Sequence, residues 1–511
     1  MSDAAARTAP ASQYALAGLV AGLAGIAVSH TVTMLLTIRA TPLLAVAEAI
    51  IEHTPGALAE ELIQAVGQLD KPLLITGVSL GILALSSWAG VLSRRGQGIP
   101  VLIFLVMGAV GGVAVWTRPG ASMYDVLPVV AGTVTWIIVL SVLVERLARS
   151  YRAAEQADVA RREFLVWAGT VAAASLVVGA VGQWAGRTRR SVETARKLLR
   201  LPITRGGAPD GAQVELPGMP TWRTGNEEFY RIDTALVVPT IDPTEWRLRV
   251  HGMVDNELVL SYQELLDRGL SEAWVTLCCV SNEVGGDLIG NAWWSGVRIA
   301  DVLAEAGVRP EANAVLQTSE DGWTCGTPIE VLTDDRNALL AVAMNGEPLP
   351  VEHGFPVRMV VPGLYGYVSA TKWLVDLEVS RFDDFTAYWT KRGWSPQGPI
   401  KTQSRIDVPR DGADVPAGRR RIGGTAWAQH TGVDKVEYRL DGDAWAEATL
   451  GRVAGVDTWV QWSATVDLAP GPHTLAVRAT DAGGYTQTSV ETDVVPNGAT
   501  GWHTIELDAR G

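Results

Sequence analysis

Five long apolar runs in the first 185 residues constrain this chain more than any other feature. Each run is close to the roughly 20 residues that a helix needs to cross a bilayer, and very few charged residues interrupt them. The runs cover residues 14–38, 72–92, 99–117, 126–144 and 164–185. We therefore predict a helical membrane domain of five transmembrane helices over residues 1–185. Loop 40–70 is amphipathic and too charged to span, so we expect one or two short helices there at the membrane surface.

Basic residues between the runs predict the orientation of the helices. Loops 93–98 and 145–163 are rich in arginine, whereas the loops on the opposite side carry few basic residues. The positive-inside rule places the N-terminus and both arginine-rich loops in the cytoplasm. The fifth run then delivers the rest of the chain to the outer face of the cell membrane. Residues 161–165, which read RREFL, resemble the twin-arginine signal for export of folded proteins.

The remainder of the chain has the composition of a soluble, acidic protein. Residues 1–200 contain 17 Lys and Arg against 12 Asp and Glu, whereas the rest contains 25 against 43. An acidic surface repels phosphate backbones, so nucleic acid is excluded as a partner. Three cysteines are too few for a disulfide framework, and they lack the paired spacing of zinc sites.

The soluble part divides by pattern into a linker over residues 186–220 and two domains. Residues 221–395 mix alternating strands with short helices, which predicts an α+β domain. One helix is marked by a capping box of Ser261 and Glu264, with Gly269 after its end. Residues 396–511 contain short alternating strands separated by DG, PG and GG turns, which predicts an all-β sandwich.

Two segments resemble the sulfite oxidase family of molybdopterin enzymes: "TLCCVSN" and "MNGEPLPVEHGFPVRMVVPGLYGYVSATKWL". The resemblance covers about residues 220–511 and implies that the sandwich is the family's immunoglobulin-like dimerisation domain, so we expect a homodimer. It implies that Cys279 donates one thiolate to molybdenum, with Thr276 and Asn282 matching around it. A soft thiolate suits a metal whose other sulfur ligands come from the pterin. Cys278 and Cys325 are expected to be inert buried thiols.

The resemblance also implies the residues that hold the Mo-molybdopterin cofactor. Arg231, in "FYRIDT", is expected to face both the cofactor and the substrate, and it joins Cys279 as a catalytic residue. Asp233 stands where the family has histidine. Gly363 and Gly366 are expected to let the backbone approach the pterin. The expected cofactor-binding residues are Tyr230, Arg231, Asp233, Asn282, Asp321, His353, Arg358, Thr371 and Lys372.

The substrate pocket departs from the sulfite oxidase pattern. Glu283 and Val284 stand where those enzymes carry two arginines, and Trp323 stands in place of the pocket tyrosine. Sulfite is a dianion, which guanidinium groups bind and which Glu283 would repel. We therefore expect oxygen-atom transfer on a less charged oxo-substrate, such as a sulfoxide.

Two other functions remain open: a sulfite oxidase with a rearranged pocket, and an inactive membrane-tethered binding or assembly protein. The sequence has no haem or iron–sulfur motif, so we expect the electron carrier to be a separate membrane haem protein or a quinone.

Overall fold

A computed structural model describes residues 9–36, 38, 41–54, 70–118, 121–153, 157–185 and 188–511. The chain forms two compact units, Met1–Ser191 and Val192–Gly511, which are described separately below.

The first unit is helical. Among its described residues, five helical segments are long and apolar enough to cross a membrane by length and composition: Ala11–Leu35, Lys71–Arg95, Gly98–Trp116, Met123–Tyr151 and Arg161–Ala180. The prediction of five apolar helices is thus confirmed. A shorter helix begins after the N-cap of Thr41, within loop 40–70, whereas residues 55–69 of that loop lie outside the described residues. The helices are α1 (Ala11–Leu35), α2 (Pro42–His53), α3 (Asp70–Leu92), α4 (Gly98–Trp116), α5 (Leu127–Ala153) and α6 (Ala157–Ala185).

Helix α1 lies against α3, α5 and α6. Small residues allow its close approach to α3, because a Cβ atom at Gly18 would clash with the carbonyl oxygen of Ser86. The contact with α5 includes a hydrogen bond from the Trp136 indole to the carbonyl of Gly22, at 3.1 Å. Backbone proximity of this kind favours helix association in lipid, where apolar side chains gain little by pairing.

Helix α7 spans Thr188–Leu198, and the second unit begins within it, at Val192. The N-terminal half of this unit is α+β. The short helix that the capping box predicts is present. Ser261 and Glu264 make the capping box at the start of α8, and Gly307 closes α9 in the left-handed conformation. The elements are β1 (Arg247–Gly252), β2 (Leu258–Ser261), α8 (Tyr262–Leu266), β3 (Ser271–Cys278), β4 (Ile289–Arg298), α9 (Ile299–Ala306), β5 (Ala314–Ser319), β6 (Thr324–Pro328), α10 (Glu330–Thr333), β7 (Leu339–Met344), β8 (Glu347–Pro348), β9 (Arg358–Val360) and β10 (Leu374–Ser380).

These strands build two sheets. One has the order β2-β1-β10-β5-β6, with β1 and β10 parallel and the other pairs antiparallel. The other has the order β3-β4-β7-β8, with β9 also paired to β7. All residues from Ala273 to Cys278 in β3 are buried, and all but Thr276 are apolar. Cys279 follows the end of β3, and Arg358 begins β9; both are residues of the candidate active site.

The C-terminal strands form two further sheets, of orders β11-β13-β17-β16 and β12-β19-β18-β14-β15. Buried residues of both, such as Trp462 and Val477, share one hydrophobic cluster. The strands are β11 (Gln403–Val408), β12 (Ala413–Pro416), β13 (Gly418–Trp427), β14 (Val433–Leu440), β15 (Ala446–Glu447), β16 (Thr449–Leu450), β17 (Val460–Leu468), β18 (Gly471–Asp481) and β19 (His503–Arg510).

Part of the segment in which we expect a linker, 186–220, packs against this unit. Val192 in α7 and Ala212 are both fully buried. The backbone N–H of Val214 donates to the side-chain oxygen of Gln461, at 2.7 Å.

Candidate active site

Cys279 lies immediately after β3, in a turn that its own backbone closes. Its N–H donates to the carbonyl of Leu288 at 2.9 Å and so continues the ladder between β3 and β4. Its carbonyl accepts from the N–H of Asn282 at 3.1 Å. The Asn282 side-chain oxygen accepts from the N–H of Leu288 at 2.8 Å, which closes the loop from the other side. The thiol is therefore held on a backbone fixed at three points.

The Cys279 thiol is free, buried and weakly acidic. Burial raises its pKa above the ordinary value, while hydrogen bonds from Ser281 and the positive charge of Lys372 oppose that rise. Without a cation the group is a neutral thiol at pH 7. A coordinating metal ion removes the proton outright, so this position suits a metal ligand better than a free nucleophile.

Two segments bring the basic residues next to each other. The N–H of Met359 donates to the carbonyl of Thr371 at 2.8 Å, and that of Leu374 donates to Val357 at 3.0 Å. These bonds place Arg358 beside the Thr371–Lys372 step. Gly354 makes the approach possible.

Gly354 lies in the left-handed region at φ +106°, where side chains are strained. A Cβ atom there would lie 3.0 Å from both the Arg358 Cβ and the Lys372 Cα. The tight corner therefore requires glycine.

Arg358 is a buried cation without a carboxylate partner among the described residues. Its side chain is 4% exposed, and its three hydrogen bonds, of 3.2 to 3.4 Å, all go to the backbone carbonyls of His353, Met359 and Ala370. The guanidinium carbon lies 5.1 Å from the Trp294 ring centroid. Burial lowers its pKa to about 10, so the group is still charged at pH 7. A buried charge of this kind needs an anion.

His353 has one satisfied and one unsatisfied ring nitrogen. Nε2 donates to the carbonyl of Asn226 at 2.9 Å, which leaves Nδ1 as an acceptor. Nδ1 is buried and has no hydrogen-bond partner within the described ranges. Burial, together with the charges of Arg358 and Lys372, lowers the pKa of His353 to about 4, so the ring is neutral at pH 7. Nδ2 of Asn282 is likewise buried without a partner in the described part of the chain.

Asp233 joins two predicted site residues that are far apart in sequence. Its Oδ2 atom lies 3.1 Å from the Lys372 ammonium and 3.1 Å from Nε of Arg231. The Asp233 side chain is 6% exposed, whereas that of Arg231 is 43% exposed. Burial lowers the pKa of Lys372 to about 8, although Asp233 opposes that effect. The three groups form one ion cluster that runs from a buried ammonium to a solvent-exposed guanidinium.

Tyr230 lies near the cysteines. Burial and the proximity of Cys279 and Cys278 raise its pKa well above the ordinary value. A Cβ atom at Gly366 would lie 3.8 Å from the Cys278 carbonyl and 3.9 Å from the Tyr230 hydroxyl. Gly366 therefore lies beside the cysteine turn, as expected of a residue lining the site.

The remaining candidates lie in different surroundings. Asp321 accepts from the N–H of Trp323 at 3.3 Å and thus stabilises its own hairpin turn. Thr371 is fully buried, with its hydroxyl 3.2 Å from the Cys325 sulfur. Gly363 has a positive φ, but its neighbours are His430 and Arg336 side chains.

Sequence reasoning missed two residues of the site. Asn226 supplies the carbonyl that fixes His353, and its side chain accepts from Asn345 at 2.8 Å. Ser281 donates to the cysteine thiolate form and so lowers its pKa. Ser281 could have been found from its place inside the "CVSN" turn. Asn226 could not, because its backbone carbonyl makes the contact with His353 and any residue type has that group.

These residues fit a molybdopterin. The described residues contain no group of three or more His, Cys, Asp or Glu that could hold a metal by itself, so the lone Cys279 thiol suits a metal that brings its other ligands. Arg358 requires an anion, and a pterin phosphate is one. The unpaired Nδ1 of His353 and Nδ2 of Asn282 require a donor and an acceptor, which a pterin ring system offers.

Comparison with known proteins agrees with this chemistry. Residues 235–389 match the oxidoreductase molybdopterin binding domain. The chain is 32% identical over 213 residues to the uncharacterized oxidoreductase YuiH of Bacillus subtilis. That alignment covers 42% of this chain and 93% of that protein. It is 33% identical over 297 residues to human mitochondrial sulfite oxidase, covering 48% of this chain and 54% of that one. The sulfane dehydrogenase SoxCD of Paracoccus pantotrophus aligns with a TM-score of 0.47 and 24% identity, over 54% of this chain and 76% of that chain.

The domain match and the relatives define an oxidoreductase that uses molybdopterin. This chain belongs to the sulfite oxidase family of such enzymes, and Mo-molybdopterin is its cofactor. The resemblance noted from the sequence is confirmed. The chain spans about half of the length of the human sulfite oxidase that it matches.

Proposed function

We propose that this enzyme is anchored in the membrane and transfers an oxygen atom to or from a small, weakly charged oxo-substrate of the sulfoxide kind. One observation carries the choice of substrate: a single carboxylate, Asp233, pairs with both Arg231 and Lys372. Lys372 lies close enough to Cys279 to lower the pKa of its thiol, so the ion cluster borders the metal position.

The paired charges disfavour a dianion. Three side chains with two positive charges and one negative charge leave a net charge of +1 at the cluster. Glu283 is exposed in the turn that follows Cys279 and adds a negative charge, and Val284 packs toward Gly501. A sulfoxide is a neutral dipole, so it needs one donor and no excess of positive charge. Arg231, which is partly exposed, can supply that donor.

The residues of the chain hold and orient the cofactor. Cys279 would provide the thiolate ligand. Arg358, His353, Asn282 and Lys372 would bind the pterin and its phosphate. When bound, the molybdenum cofactor supplies two-electron oxygen-atom transfer followed by single-electron exchange. Tyr230, Asp321 and Thr371 complete the proposed set of cofactor residues, with Thr371 acting from within the core.

We further propose that the catalytic part lies on the outer face of the membrane. Five apolar helices, arginine-rich loops and the twin-arginine-like start of the fifth helix support this orientation. A quinone or a separate membrane haem protein would then exchange electrons with the enzyme. The paired C-terminal sheets support an immunoglobulin-like sandwich that mediates a homodimer.

Sulfite oxidation is the second candidate function, because several relatives, including those of human and mouse, are sulfite oxidases. Steady-state kinetics of the purified, molybdenum-loaded full chain separate the two. We expect a higher kcat/KM for methyl sulfoxides with an artificial electron donor than for sulfite with an artificial acceptor. A higher kcat/KM for sulfite would refute the proposal.

Asp233→Asn extends the same experiment. Removing one negative charge beside two cations should raise kcat/KM for sulfite by about tenfold, because one partly solvated charge is worth on the order of 1 kcal/mol. Asp376→Asn is the matched control, because Asp376, on β10, pairs with His251 of β1. That control should leave the preference between the two substrates unchanged.

A further inference from the structure

The loop that follows Cys279 is held from outside by the C-terminal sheets. Arg405 lies in β11 and its Nη1 donates to the carbonyl of Gly286 at 2.7 Å. The ring of His503, in β19, fills the space beside Gly285, where a Cβ atom would clash with the ring Cδ2. Both contacts lie on residues 279–288, which we call the cysteine loop.

Both side chains are themselves fixed. Arg405 is 7% exposed, and its Nε donates to Asp407 at 2.8 Å. Asp407 in turn accepts from the hydroxyl of Thr425. Nδ1 of His503 accepts from the N–H of Ile406 at 2.9 Å. The Arg405 guanidinium is held by its ion pair with Asp407, so it can fix the position of the Gly286 carbonyl. Gly286 cannot shift without breaking a charged hydrogen bond.

Gly286 is connected to the thiol by a short path. A Cβ atom at Gly286 would lie 2.7 Å from the side-chain oxygen of Asn282, so the two are packed tightly. That same oxygen accepts from Leu288, whose carbonyl accepts from the N–H of Cys279. Movement of Gly286 would therefore pass through Asn282 and Leu288 to Cys279.

We propose that Arg405 is a positioning residue for the Cys279 ligand, so that the C-terminal sheets set the geometry of the metal-binding turn. Arg405 contacts the loop at the carbonyl of Gly286. Loss of the Arg405–Gly286 bond should loosen the loop while the ligand itself and the cofactor residues of β9 stay unchanged. The proposal concerns the protein geometry and holds whichever oxo-substrate the enzyme uses.

The experiment compares full-length variants by amide hydrogen exchange in the cofactor-free protein and by electron paramagnetic resonance in the loaded enzyme. Arg405→Met should speed exchange at the Leu288 and Asn282 amides by at least about tenfold, because a charged hydrogen bond is lost. Amides in the remote strand β1 should not change. The loaded variant should show a broadened or shifted resonance, with a lower kcat and an unchanged KM.

Three further variants separate positioning from general stability. Arg405→Met combined with Asp407→Asn leaves no unpaired buried carboxylate, and it should still loosen the cysteine loop. Arg405→Lys keeps one donor and should restore most of the resonance and the kcat. Arg420→Met is the control, because Arg420 lies on β13 and donates to the carbonyls of Pro416 and Ala417, away from the cysteine loop. Faster exchange throughout β1 and the loop alike, or no change at Leu288 in the double variant, would overturn the proposal.

Discussion

Replacing Arg358 with methionine tests whether the buried cation serves the fold or the cofactor. Methionine keeps an unbranched apolar stem and removes the charge. In the cofactor-free protein two effects should nearly cancel. A fall in pKa from an ordinary 12.5 to about 10 corresponds to roughly 3 kcal/mol of unfavourable burial, which the substitution relieves. The three hydrogen bonds to backbone carbonyls are lost, at about 1 kcal/mol each.

We therefore expect Arg358→Met to change the stability of the cofactor-free protein by less than about 1 kcal/mol. This is a small effect for a buried arginine. In the loaded protein the same substitution also removes the bond to an anion, so it should cost about 2 to 3 kcal/mol more. The free energy of unfolding can be followed in the full chain by denaturant-dependent amide exchange in β9 and β10, with and without cofactor.

The control is Arg336→Met, because Arg336 already has a carboxylate partner. Its guanidinium pairs with Asp334 at 2.8 Å and donates to the Pro362 carbonyl. That variant should lose the same stability with and without cofactor. A loss above about 4 kcal/mol for Arg358→Met in the cofactor-free protein would refute the reasoning, since it would mean that the fold itself satisfies the charge.

Three shorter predictions concern the same site. Because the folded pKa of His353 is about 4 and its unfolded value is 6.5, only the unfolded chain binds this proton between those pH values. The free energy of unfolding should therefore fall by up to roughly 3 kcal/mol as the pH drops from 6.5 to 4. In pH-dependent unfolding, His353→Gln should remove that part of the slope. Cys279→Ser should abolish turnover and change the electron paramagnetic resonance spectrum, whereas Cys325→Ser, at a buried thiol outside the loop, should leave both nearly as in wild type. Gly354→Ala should destabilise the fold by about 1 to 3 kcal/mol and lower molybdenum content by metal analysis, since φ is +106° and the new Cβ would lie 3.0 Å from that of Arg358.

Local features of the fold were predictable from the sequence because they depend on neighbouring residues. The apolar runs became the five long helices, and the capping box of Ser261 and Glu264 starts α8 as predicted. Helix ends and turns are decided by hydrogen bonds over three or four residues. The length of α6 (Ala157–Ala185) could not be predicted from the apolar run. The run begins later than the helix, which also includes a charged N-terminal turn.

The charge pattern of the site could not be predicted in this way. Asp233 and Lys372 are 139 residues apart, and Arg405 and Gly286 are 119 apart. A family pattern places residues one by one, so it assigned Asp233 to the cofactor without showing that it pairs with two cations. Gly363 was assigned to the pterin by the same route, although its neighbours are His430 and Arg336. Which charges compensate each other depends on the folded arrangement alone.

The arrangement of charge divides the site into two parts with different requirements. Arg358 is deep and has no described carboxylate partner, so an anion that stays bound throughout the life of the enzyme is the natural partner, and a cofactor phosphate is such an anion. Arg231, the proposed substrate residue, is partly exposed and shares Asp233 with Lys372, so part of its charge is already compensated. A tightly held cofactor benefits from an unpaired buried cation, because the bound state removes a standing desolvation cost. A substrate that is released as product in every turnover does not benefit from such a cation, because strong ion pairing would slow product release. Partial compensation at Arg231, and the lack of a described carboxylate partner at Arg358, are what the different residence times of the two proposed ligands would require.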